Sequence, residues 1–140
     1  MSRLPAQMSP AELARYMHAH IPLTKAMGVS VVSVEEDALT LEAPLAPNIN
    51  HRQSVFGGSA SALAILAGWA LLHVRLHSEG IADRLVIQRN TMEYQHPILG
   101  AFTARAMLGR EWTPSQSGAC PHNVTAGKPR RRRPSSNTWT

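Results

Sequence analysis

A chain of 140 residues suits one domain, and a hydrophobic content of 44% is enough to bury a core. The net charge of +5 points first to nucleic acid. Residues 1–112, however, hold nine Lys and Arg against all nine Asp and Glu, and the excess comes from Lys128 and Arg130 to Arg133, so the body offers no basic groove for a phosphate backbone.

Cys120 is the single cysteine, which excludes an internal disulfide, and no Cys/His cluster has zinc spacing; neither a metal nor a cofactor is expected. Met1 to Gln7 is short and carries Pro5, unlike a secretory signal, so the expected setting is reducing and cytoplasmic.

In chain order, Ser9 to Glu12 starts a helix: Ser9 caps, Pro10 suits the first turn and Glu12 completes a capping box. Leu13, Tyr16, Met17 and His20 share one face, Pro22 stops the helix and Gly28 marks a turn. Val29 to Val34 is β-branched and reads as a strand. Leu39, Leu41 and Ala43 alternate with Thr40 and Glu42 in a second, half-buried one. Pro44 and Pro47 end this hairpin.

Gly57-Gly58 opens a long helix that ends at Gly80. Ala62, Leu63, Leu66, Trp69, Ala70 and Leu76 form one stripe, while Ile65, Leu72 and Val74 make the other faces apolar too. Gln53 to Val74 lacks Asp, Glu, Lys and Arg and is long enough to span a bilayer, but its Ala, Gly and Ser content fits a helix wrapped by a sheet, so no membrane is expected. Leu85 to Tyr94 and Ala101 to Leu108 read as two further strands, with a turn at Pro97 and Gly100 between them. After Trp112 the composition breaks abruptly: Thr113 to Thr140 holds four of the ten prolines and the Arg130 to Arg133 run, and is expected to be disordered. A helix between two pairs of strands suggests an α+β domain, a curved antiparallel sheet around a central helix.

Chemistry concentrates at Asn48 to Ser59. Two glycines at a helix start let a ligand approach the backbone, and the free N–H groups there face any oxygen placed before them. A thioester carbonyl gains negative charge under attack, so such donors serve as an oxyanion hole. Asn50 offers a donor and an acceptor to orient a carbonyl or a water. From the residues alone, a glycine helix start behind an Asn turn is the plainer reading, since Gly-Gly is a common loop signal. His73 and His77 lie four apart on the long helix without a third metal ligand. Arg52, Arg89 and Arg105 read as ordinary surface charge, with coenzyme A phosphates as the alternative.

Ile21-Pro22-Leu23 with Met27-Gly28, Ala43-Pro44-Leu45 with Asn48 and Asn50, Phe56-Gly57-Gly58-Ser59, Ala62-Leu63-Ala64, Gly68-Trp69 and Tyr94 with Pro97 together resemble hotdog-fold thioesterases, in particular the YiiD-type C-terminal thioesterase domain, over about residues 10–110. The resemblance implies a hotdog domain over 1–112, apparently lacking its final strands, followed by a Pro/Arg-rich tail over 113–140. It implies a homodimer or larger homo-oligomer acting on an acyl-CoA or acyl-carrier-protein thioester.

Asn50, His51, Gly57 and Gly58 are then the candidate catalytic groups, and Asn48, Phe56, Ser59 and Tyr94 the candidate substrate contacts. Two departures stand out. Phe56 occupies the place of a His that often precedes the glycine pair, and Ile65 that of a helix carboxylate that often activates water. His51 is the substitute base, against the plainer reading of a solvent-exposed loop histidine. A non-catalytic acyl-thioester binding or dimerisation module is the alternative function. A change of reading frame near Trp112 would account for the tail, as would a basic tail that binds acidic partners.

Overall fold

The computed structural model describes residues 7–81, 85–87, 90–109, 122–127 and 138–139. Helix α1, Pro10–His20, begins as its capping signal implies: the Ser9 hydroxyl accepts from the Glu12 N–H at 3.2 Å, and Pro10 occupies the first turn. Pro22 ends α1 and also opens a second short helix, α2 (Pro22–Met27), because its fixed φ suits a first helical position as well as it breaks an interior one. Gly28 closes α2 at φ 73°, a left-handed conformation. A side chain there would also come within 3.0 Å of the Pro44 ring.

Strands β1 (Ser30–Val34) and β2 (Ala38–Ala43) pair as the expected hairpin, with a register shift between Val31 and Ser33. β1 is an edge strand, and a bulge is a common way to stop such an edge from pairing further. Across β2 lies β3 (Phe102–Leu108), in register Leu39 with Ala106, Leu41 with Ala104 and Ala43 with Phe102. All six of these side chains are buried on one face. On the other face Arg105 donates to the Thr40 hydroxyl at 3.3 Å and pairs with Glu35 at 2.9 Å.

The long helix α3, Gly57–Ser78, lies against β2, β3 and β4. By length and composition it could cross a membrane, with a mean hydropathy of 1.4, but most of it is buried in this domain. Leu63, Ala64, Ala67, Ala70, Leu71 and Val74 enter the core that Leu13 and Met17 close from the α1 side. At its end, the Gly80 N–H donates to His77 O and the Ile81 N–H to Leu76 O at 3.1 and 2.9 Å, with Gly80 at φ 70°.

Two expectations are corrected. Leu85 to Tyr94 forms no strand in its described residues. β-propensity needs a neighbouring ladder, and none of the described strands pairs there, which leaves Val86 81% exposed and Ile87 half exposed. Conversely, the sheet does not stop near Trp112, and the segment from Thr113 is not wholly disordered. β4 (His122–Gly127) pairs antiparallel with β3, and β5 (Thr138–Trp139) with β4, giving five strands in the order β1-β2-β3-β4-β5. β4 has little strand character of its own; the free edge of β3 supplies its partners. The remainder of 113–140, including Arg130 to Arg133, lies outside the described residues.

Phe102 is the largest fully buried side chain and opens β3 opposite Ala43. Phe102→Ala should lower unfolding free energy by about 3–5 kcal/mol, the usual cost of removing a buried aromatic ring, as a shift of the urea midpoint at unchanged slope.

Candidate active site at the start of the central helix

The chain reaches α3 through a 3-10 turn, Ala46–Asn48, and a tight loop. The loop closes on itself: Ile49 bridges Val55, the Asn50 N–H donates to Ser54 O at 2.8 Å, and the Gln53 N–H returns to Asn50 O at 3.2 Å. Gln53 sits at φ 62°, a conformation that non-glycine residues rarely adopt, so the surrounding bonds must hold it.

Asn48 ties this loop down. It is 2% exposed, and its Nδ2 donates to Met27 O and Pro44 O at 2.9 and 2.8 Å. Its backbone carbonyl takes the Phe56 N–H at 2.8 Å. Its Oδ1 is buried without a partner, a cost that the two donations offset. The sequence suggested a substrate contact here; the structure shows Asn48 as a clamp joining α2, the end of β2 and the entry to α3. Asn50 is likewise engaged: Oδ1 accepts the Arg52 and Ser54 N–H groups at 2.9 and 3.2 Å, and Nδ2 donates to the Ser54 hydroxyl at 3.0 Å. An Asx-type turn uses the amide that would otherwise orient a carbonyl or a water. His51, next in the chain, is exposed at the loop tip.

At the helix start the Phe56 N–H is satisfied by Asn48, and the Ser59 and Ala60 N–H groups turn back to Phe56 O at 2.9 and 3.1 Å. Among the described residues the Gly57 and Gly58 N–H groups have no such partner, at the positive end of a 22-residue helix. Aromatic rings flank them. A Cβ on Gly58 would fall 2.4 Å from the Phe56 ring, and one on Gly57 3.5 Å from that of Tyr94. The Tyr94 hydroxyl also donates to Gly57 O at 3.3 Å. Phe56 and Tyr94 are 57% and 60% exposed, so both rings remain open to a ligand. Ser59 is half-buried within the first turn.

The structure thus places Phe56, Gly57, Gly58, Ser59 and Tyr94 at one helix end, with Asn50 and His51 in the loop that leads into it. Arg105 is committed to Glu35 and Thr40, and Arg89 lies outside the described residues. Among the described residues no three His, Cys, Asp or Glu side chains gather as a metal site. The clamping role of Asn48 was not legible in the sequence, since nothing local distinguishes a buried Asn from one in an open turn.

With this geometry in view, comparison with known proteins is decisive for the family. Residues 10–120 match the family described as "Putative thioesterase (yiiD_Cterm)". The chain belongs to this thioesterase family. Among solved structures it is similar to a protein of unknown function from Chlorobaculum tepidum TLS, at 32% identity and TM-score 0.69, over 75% of this chain and 67% of that one. It shares the hotdog fold with the protein described as "the putative thioesterase from Shewanella oneidensis" (23% identity, TM-score 0.74, 84% of each chain) and with the E. coli PaaI protein from the phenylacetic acid degradation operon (18% identity, TM-score 0.65, 98% of this chain and 89% of that one).

Asn48→Ala would leave the carbonyls of Met27 and Pro44 unpaired. Equilibrium denaturation should show a loss of about 1–3 kcal/mol, the penalty for stranding buried polar groups, although no reacting group has been touched.

Proposed function

We propose that the chain hydrolyses an acyl-CoA or acyl-carrier-protein thioester at the start of α3. The observation that carries this is the pair of unpartnered N–H groups, Gly57 and Gly58, between the exposed rings of Phe56 and Tyr94. In this reading the thioester oxygen sits before the two N–H groups, which stabilise the charge it gains as water attacks. Phe56 and Tyr94 line the acyl chain or the pantetheine arm, with Ser59 at the base of the turn. His51, an exposed imidazole on the loop, is the candidate general base that takes a proton from the attacking water. Asn50 contributes by fixing the loop that presents His51, because its amide is already used within that loop. A homodimer or larger homo-oligomer in the cytoplasm belongs to the same proposal.

A specific observation also favours the second reading, an acyl-thioester binding module without turnover. α3 carries no carboxylate in its first turn, and Ile65 stands where an acid would activate water.

A panel of short- and long-chain acyl-CoA substrates, with the released thiol followed by absorbance, separates the two. Turnover well above the uncatalysed rate supports hydrolysis. Saturable binding without thiol release supports the module, and neither result with folded protein removes both. If hydrolysis is present, His51→Ala should lower kcat by about 100-fold or more, the usual scale of general-base catalysis, with little change in melting temperature. Gly58→Ala forces the Phe56 ring aside and crowds the oxyanion position; kcat/KM should fall about 10-fold or more, measured in the same assay.

A further inference from the structure

Away from the glycine pair, five rings meet where α1 crosses α3. Tyr16 and His20 are four residues apart on α1, and Trp69, His73 and His77 recur every four residues on α3. Tyr16 lies 4.3 Å from His20 and 4.5 Å from His73, Trp69 lies 4.8 Å from His73 at an interplanar angle of 11°, and His77 follows at 6.3 Å. Tyr16 and Trp69 are themselves 6.3 Å apart and nearly parallel. His73 is therefore the central ring of a stack shared by two helices.

We propose that this stack is a pH-sensitive joint, which holds α1 against α3 while the central His73 imidazole is neutral and loosens α1 on acidification. The charged form of His73 is disfavoured first by burial and then by His77 and His20, so its pKa lies below the ordinary 6.5. The other charged or titratable groups of the described elements around it are Glu12, Arg15 and His18 on α1, Lys25 on α2, Glu35 to Asp37 after β1, and Arg75 and Glu79 on α3. Of these, Arg75 and Glu79 pair with each other at 3.2 Å, Glu35 with Arg105 at 2.9 Å, and the His18 ring bonds Val29 O at 2.8 Å. Attraction of an imidazolium to the faces of Tyr16 and Trp69 opposes the effect. It does not reverse it: burial first, then the neighbouring His77 and His20, leave the charged form of His73 disfavoured on balance.

The sign follows from linkage. Between the lowered pKa of His73 in the folded chain and the ordinary value of 6.5, the unfolded chain binds more protons. The contribution of His73 is then complete above the ordinary value and is lost as pH falls toward the lowered one. The change is local, because Tyr16 and His20 belong to α1 while β2 and β3 carry none of the five rings.

Amide hydrogen exchange of the full chain between pH 7.5 and 5, corrected for intrinsic rates, tests this. Protection of residues 10–20 should fall severalfold while that of residues 38–43 and 102–108 holds. His73→Gln should remove most of the fall. His77→Gln, at an exposed position that should not disturb folding, should reduce it, and this variant decides the matter if His73→Gln does not fold. Flat protection of α1 in the unaltered chain, an undiminished fall in the variants, or a fall shared equally by all elements would overturn the proposal.

Discussion

The close approach of α3 to the sheet is the constraint on which the rest depends. A helix apolar nearly all round must be covered, and one sheet face can cover it only if the facing side chains leave room. The register provides that room: Ala104 and Ala106 of β3 stand beside Leu41 and Leu39 of β2, while Ala64, Ala67 and Ala70 come from the helix side. Small residues on both surfaces bring the backbones together, and the larger Leu63, Leu71, Val74 and Phe102 fill the space that remains. Enlarging one of these alanines would push the helix away along its whole length, because a packed core does not deform at one point alone.

The glycine pair is useful because of that burial. Once α3 is anchored along its length, its first turn is fixed in space, and the Asn48 clamp orients the chain that enters it. Two free N–H groups on a rigid helix make a better charge-stabilising site than the same groups on a loop, since no reorganisation is needed when charge develops. Gly58 also lets the Phe56 ring lie over the backbone, whereas a side chain on Gly57 would meet Tyr94 at an ordinary contact distance. The donors follow from the helix start itself, and the Phe56 wall from the missing side chain of Gly58.

Much of this was legible in the sequence, and the limits have physical causes. The strand alternation of Leu39 to Ala43, the Ser9 cap and the apolar run of α3 are local signals tied to local geometry, and each corresponds to an element where expected. α2 was missed because Pro22 carries two meanings, a stop for the preceding helix and a start for the next. Strand formation depends on a partner, so β-branched sequence near Val86 lacks a strand while the polar, glycine-ended His122–Gly127 gains one beside β3. At the site, the segment was identifiable, but the division of labour between Asn48 and Asn50 was not. Which amide is buried and which closes a turn depends on Met27, 21 residues before Asn48 in the chain, as well as on the nearby Pro44.

The position of Ile65 bears on how such a site could work. An acid on the helix would place a negative charge close to the developing oxyanion and would itself need solvation beside Leu63, Leu66 and Trp69. With Ile65 there, the inner wall stays apolar and the two N–H groups meet no competing carboxylate within α3. On the proposed hydrolytic reading, the charge-stabilising donors stay at the helix end, while the candidate base, His51, lies outside the helix on the exposed loop. On that proposal, binding rests on the helix end and proton transfer on the 49–55 loop, so a change confined to the loop would remove turnover and leave thioester binding in place.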